Sequence, residues 1–120
     1  MAVNLLIIDD NESDRRLIQE SLEDLDVECS VDMAVNGEEG VEKAIQAKPD
    51  IVIIDTVLPG MDGYETCSKI KANNEQSKII MITGKMEAVD EGRAKEAGAD
   101  EYELKTPDYM FLLDAIKKLI

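Results

Sequence analysis

The sequence predicts an α/β fold, a doubly wound parallel sheet with helices on both faces, from three observations. Short apolar runs recur without the alternation of a half-solvated strand, as in IVIID at 51–55 and KIIMIT at 78–83. Between the runs lie segments whose apolar residues repeat at helical spacing. The runs also stop where chemistry can begin: LLIIDD at Asp9 and Asp10, IVIID at Asp55, IIMIT at Thr83, and EYEL just before Lys105. Parallel strands bring their carboxyl ends to one edge of the sheet, where open α/β folds hold ligands. Three carboxylates, a hydroxyl and an ammonium are therefore expected at one site.

Taken in order, VNLLII at 3–8 is the first strand, stopped by Asp9, Asp10 and Asn11. A helix is predicted from about Ser13 to Leu25, with Leu17, Ile18, Leu22 and Leu25 on one face and Ser13 or Asn11 as N-cap. Val27, Cys29, Val31 and Met33 alternate with polar residues, which suits a strand towards the edge. Asn36-Gly37 signals a turn before a short helix carrying Val41, Ala44 and Ile45 inward, closed by Lys48-Pro49-Asp50. After Asp55 the loop TVLPGMDG leads to a helix reaching about Ala72, which should bury Tyr64, Cys67 and Ile70. NNEQS then introduces the strand KIIMIT. A helix from about Glu87 to Ala97 ends at Gly98, a residue suited to a left-handed cap. Residues 100–104 form the last strand, and a helix from about Pro107 buries Leu112, Leu113, Ile116 and Leu119. Without repeat, low-complexity tract or linker, residues 1–120 read as one domain.

Composition narrows the function. With 27 acidic and 13 basic residues the net charge is −14, unfavourable for binding nucleic acid phosphates or anionic membranes directly. Cys29 and Cys67 are too few for a disulfide framework, and the chain has no histidine to serve as general base or transition-metal ligand. No secretory segment or membrane-length apolar run is evident, so a cytoplasmic location is the default expectation.

The acidic pair Asp9-Asp10, Asp55 followed by LPGMDG, Thr83, Lys105, and AGADEY with Tyr102 occur together in one order. With these residues the chain resembles the receiver domains of two-component response regulators, and its single-domain form resembles the chemotaxis response regulator. The resemblance covers essentially the whole chain. It implies a flavodoxin-like sheet of five parallel strands in the order 2-1-3-4-5 with five helices. It also implies phosphoryl transfer to Asp55 from a histidine kinase or phosphotransfer protein, and control of a downstream target. The receiver is then either a stand-alone regulator or part of a longer protein.

The residues suit that chemistry. Clustered carboxylates repel one another and an incoming phosphoryl group, and a hard divalent cation such as Mg2+ relieves both problems. By resemblance, Asp10, Asp55 and the Val57 carbonyl coordinate the ion, and Asp9 acts through water. Asp55 is the nucleophile, Lys105 contacts a phosphoryl oxygen, and Thr83 bonds another and reports its presence. Tyr102 is the switch aromatic, expected to move inward. By the same resemblance, Val57 and Lys85 tune how fast water attacks the phosphoryl group.

Each residue also has a simpler structural reading: Asp9 as a helix cap, Thr83 as a strand-end β-branched residue, Lys105 as a surface charge, Tyr102 as a half-buried strand tyrosine. Glu87, Asp90, Glu91 and Glu96 read as a solvated helix face. Two other functions compete. A haloacid dehalogenase-type phosphohydrolase places its nucleophile after the first strand with an acid two residues on; here Asp10 is followed by Asn11 and Glu12, and the chain has no room for a substrate-capping insertion. A pseudo-receiver, binding without phosphorylation, does not require the full set of charged residues. One feature departs from the family: its lysine is normally followed by proline through a cis peptide, whereas Thr106 follows Lys105 here. A trans Lys105–Thr106 bond is expected, with Thr106 capping the last helix and Pro107 opening it.

Overall fold

A computed structural model describes residues 2–85 and 87–120. Its elements alternate throughout: β1 (Val3–Ile8), α1 (Glu12–Ser21) with a 3-10 turn (Leu22–Asp24), β2 (Cys29–Ala34), α2 (Gly37–Ala47), β3 (Ile51–Asp55), α3 (Gly63–Asn73), β4 (Lys78–Thr83), α4 (Ala88–Ala97), β5 (Glu101–Leu104) and α5 (Met110–Leu119). The strands form one parallel sheet in the order β2-β1-β3-β4-β5. The strand order reverses direction between β1 and β3, so the loops leaving these two strands part and leave a crevice.

The period of two in a strand explains why these runs are apolar on both faces. Leu5, Ile7, Ile51, Ile53, Ile80 and Ile82 join Ile18, Leu22, Leu112 and Ile116 in a core on the α1 and α5 side. Their neighbours Leu6, Ile8, Val52, Ile54, Ile79 and Met81 join Ala44, Cys67, Ile70 and Ala94 in the opposite core. Each large side chain buried this way stabilises the fold by about 1.5–3 kcal/mol.

Several sequence expectations need correction. Leu17 is exposed, because Ile18 and Leu22, four residues apart, occupy the face of α1 that meets the sheet. Ile45 is exposed for the same reason: α2 presents Gly37, Gly40 and Ala44, a stripe of small residues that lets it approach Ile8 closely. Tyr64 is only half-buried, its ring covered by the Arg93 guanidinium at 4.1 Å. The first helix begins at Glu12 and breaks into its 3-10 turn after Ser21, and its N-cap is Asn11 rather than Ser13. Gly98 follows α4 in the left-handed region, at φ 100°.

The largest displacement is at α5, which starts at Met110 rather than at Pro107. Thr106 does not cap it. The Thr106 hydroxyl instead donates to Asp108 Oδ1 at 2.9 Å, while the Tyr109 N–H returns to the Thr106 carbonyl at 3.0 Å. A turn therefore fills the place of the first helical turn, and Tyr109 leaves it at φ 53°. Peptide bonds among the described residues are trans, Lys105–Thr106 included.

Candidate functional site

The carboxyl ends of β1, β3, β4 and β5 carry the site. Asp9 leaves β1 fully buried, and its Oδ1 accepts the Asn11 N–H at 2.9 Å. Its backbone carbonyl accepts from Arg15 Nη1 at 2.7 Å, tying the loop back to α1. Asp10, next in sequence, is exposed at the mouth. Asp55 ends β3 with its side chain 12% exposed, and its Oδ1 accepts the Val57 N–H at 3.0 Å. Behind it the chain runs tight: a side chain at Gly63 would collide with the Asp55 carbonyl, so only glycine lets α3 begin here.

Asp9, Asp10 and Asp55 each offer a carboxylate oxygen within 4.8 Å of the others. A cluster of hard oxygen donors at this spacing fits Mg2+, which favours carboxylate and water ligands. Val57 is 75% exposed.

One ammonium balances the cluster from inside. Lys105, just after β5, donates to Asp9 Oδ2 at 2.8 Å, Asp14 Oδ2 at 2.9 Å and Asp55 Oδ2 at 3.0 Å. These three acceptors use all three of its protons. Burial works to lower the lysine pKa, but the hydrogen bonds from Asp9, Asp14 and Asp55 outweigh it and raise the value, so the group stays charged. For Asp9 the balance is opposite: burial raises its pKa although Lys105 and the Asn11 N–H lower it. Taking a carboxylate to zero exposure outweighs the attraction of one shared cation.

Thr83 ends β4 buried, and its hydroxyl is engaged with its own loop, donating to the Lys85 carbonyl at 3.1 Å and accepting the Lys85 N–H at 3.3 Å. The Lys105 N–H donates to the Thr83 carbonyl at 2.7 Å, so the ends of β4 and β5 are locked together. Beside Thr83 a cleft of 560 Å³ opens between the loops after β3 and β4, lined among others by Thr56, Val57, Tyr64 and Lys85. Lys85 points away from the carboxylates, towards Glu87 at 3.3 Å.

Tyr102 already lies inward. It packs against the core on the α2, α3 and α4 side, with its hydroxyl buried and without a hydrogen-bond partner. Asp90 and Glu87, expected as solvated face, reach Arg93 at 3.8 Å and Lys85 at 3.3 Å.

Asp14 is the residue that sequence reasoning missed. It sits three residues after the N-cap Asn11, whose Oδ1 accepts its N–H at 2.9 Å. An acid at this helix position normally reaches back to the N-cap N–H. Here Asp9 has taken that N–H, so the Asp14 carboxylate is free to turn to Lys105. The spacing of Asn11 and Asp14 was a visible signal for a capped helix start, but not for a contact 91 residues away in sequence.

Comparisons with known proteins agree with this geometry. A family model described as the response regulator receiver domain matches residues 5–117. The response regulator protein VraR of Staphylococcus epidermidis is 35% identical over 121 residues, covering 98% of this chain and 56% of VraR. The chain thus spans about half the length of the curated relatives it matches. Among solved structures, the Vibrio cholerae chemotaxis protein CheY4 superposes with TM-score 0.86 at 26% identity, covering 100% of both chains. A CheY-like receiver domain protein from Methanospirillum hungatei gives TM-score 0.85 at 29% identity, over 98% of this chain and 93% of the other. The chain belongs to the response regulator receiver domain family of two-component signalling systems.

Proposed function

We propose that this domain, residues 1–120, accepts a phosphoryl group on Asp55 in a Mg2+-dependent reaction and uses it to change the affinity of a partner-binding face. The observation that carries the reading is the near-buried Asp55 between two further carboxylates and the Lys105 ammonium. Asp9, Asp10 and Asp55 would hold the cation, together with the Val57 carbonyl expected from the family resemblance. When bound, Mg2+ supplies charge neutralisation for the attacking carboxylate and the transferring phosphoryl oxygens.

The remaining chemistry belongs to the chain. A carboxylate oxygen of Asp55 attacks the phosphorus of a phosphohistidine on a histidine kinase or phosphotransfer protein. The new P–O bond forms as the P–N bond breaks, and the imidazole nitrogen keeps the electron pair and takes a proton from solvent. Such transfer depends mainly on positioning and electrostatics, which explains why a few residues suffice. Forming the acyl phosphate moves the negative charge from the Asp55 carboxylate to the phosphoryl oxygens, and the Lys105 proton facing it can then meet one of them. Thr83 must release Lys85 to bond another, which couples the loop after β4 to the phosphoryl group. Tyr102 is the switch aromatic expected to follow that movement. The face around α4, β5 and α5 would then present different contacts to a downstream protein, as a population shift requires. The net charge of −14 disfavours direct binding of nucleic acid, and no helix among the described residues is long and apolar enough to cross a membrane. A cytoplasmic location, where kinases of this class act, is part of the proposal.

Incubation with acetyl phosphate and Mg2+ tests it. Intact-mass analysis should show one added phosphoryl group, lost in Asp55→Asn and absent without the cation. Undiminished, metal-independent labelling of Asp55→Asn would overturn the assignment, and no labelling of the native chain would favour the pseudo-receiver.

A further inference from the structure

We infer that Asp14 is the positioning residue for Lys105, the partner that keeps the ammonium over the site while the reaction withdraws its other two. The inference rests on the phospho-accepting reading of Asp55. Lys105 has three protons and three carboxylate acceptors, Asp9, Asp14 and Asp55, at 2.8, 2.9 and 3.0 Å. Two of these acceptors also belong to the cluster that can hold a cation. A bound cation competes with the ammonium for Asp9, and phosphorylation turns Asp55 from an anion into an acyl phosphate whose remaining carbonyl oxygen is a far weaker acceptor. Asp14 lies outside that cluster and is not the nucleophile. Of the three, it alone keeps its full charge directed at Lys105 from start to finish.

The local structure holds Asp14 for this role. It occupies the first turn of α1, where the positive end of the helix favours an anion. Its N–H is capped by Asn11, and the N–H that its carboxylate would otherwise capture is held by Asp9. Its side chain is 33% exposed while that of Lys105 is 15% exposed, so the pair spans the boundary of the site. Solvent screening there limits the pair to a modest contribution, enough to set where a flexible lysine rests. The same charge opposes an approaching anionic donor, and this gives the test a sign. Positioning predicts slower transfer without Asp14, whereas pure repulsion predicts faster transfer.

The test uses acetyl phosphate with Mg2+ on the native chain, Asp14→Asn, Asp14→Glu, Lys105→Met and the double variant Asp14→Asn/Lys105→Met. Asp14→Asn should label Asp55 roughly fivefold more slowly, a factor matching one partly exposed charged hydrogen bond. Asp14→Glu should recover part of the rate, and in the Lys105→Met background, where only repulsion is left, Asp14→Asn should cause no further slowing. A second readout needs no turnover: the side-chain nitrogen resonance of Lys105, with and without Mg2+. In the native chain its ammonium protons should remain slow to exchange when the cation is added, and in Asp14→Asn they should exchange several-fold faster. Equal or faster labelling of Asp14→Asn, or unchanged exchange at Lys105, overturns the inference and leaves phosphorylation of Asp55 standing. Absence of labelling in every variant, native chain included, overturns both.

Discussion

At the amino-terminal edge of the sheet, Asp50 and Asp100 each have partners of their own; at the carboxyl-terminal edge, Asp9, Asp14 and Asp55 share one ammonium. Asp50 Oδ2 accepts the Asn4 N–H at 2.8 Å, completing the start of β1. Asp100 Oδ2 accepts the Ile79 N–H at 2.8 Å and pairs with Lys71 at 2.9 Å. Each of these acids satisfies a backbone donor at a strand start that would otherwise lack a partner. At the other edge the count is reversed. Among the described residues Lys105 is the one ammonium bonded to three carboxylates, Asp10 adds a fourth negative charge nearby, and Asp9 carries a pKa raised by burial. The same residue type therefore closes the fold at one edge and leaves unbalanced charge at the other, which the proposed function assigns to a cation and a phosphoryl group.

The sharpest way to break this comparison is cation binding. Asp10→Asn should weaken Mg2+ affinity by about 10–100-fold, the range seen when a group that supports a metal site is lost. Asp50→Asn should leave it unchanged, as calorimetric titration would show. If both variants lost affinity equally, the two edges would not be functionally distinct.

Stability should separate the edges the other way. Asp100→Ala removes an acceptor from the Ile79 N–H and a partner from Lys71, and should cost about 1–3 kcal/mol in urea unfolding. Its acetyl phosphate labelling at Asp55 should persist under conditions where it is folded. Loss of labelling in the folded variant would mean that the amino-terminal edge also shapes the site.

The smallest expected effect concerns Val57, exposed beside Asp55 and unable to orient a water molecule. Val57→Asn should shorten the lifetime of phosphorylated Asp55 by about two- to fivefold, the worth of one added hydrogen bond. An unchanged decay rate would show that attacking water is oriented from elsewhere.

The sequence disclosed the two edges unequally. The strand runs were legible because residues buried on both faces leave no room for polar alternation, and their terminal Asp9, Asp55 and Thr83 stood out against them. Asp10 and Lys105 followed from position alone. Asp14 was hidden because its contact depends on which group takes one N–H in the loop before α1. The late start of α5 was hidden for a similar reason. Pro107 is a good first helical residue, but Asp108 accepts both the Thr106 hydroxyl and the Met110 N–H, stabilising a turn in its place. The exposed Leu17 and Ile45 show the limit of periodicity: it finds an apolar stripe, and the sheet decides which edge of the stripe is covered.

Metal-free thermal unfolding of Asp9→Asn beside Asp100→Ala tests the difference between the edges most directly. Burial raises the Asp9 pKa, so its favourable contribution is complete below the unfolded value and is lost as pH rises through the folded one. At neutral pH the charged Asp9 is thus held at a cost that asparagine does not carry. Asp9→Asn should melt at or above the native chain at pH 7, with the gap closing towards about pH 4, while losing the stabilisation that added Mg2+ gives. Asp100→Ala should melt lower and keep the full response to Mg2+. An Asp9→Asn protein that melts as far below the native chain as Asp100→Ala, and still gains from Mg2+, would contradict the account.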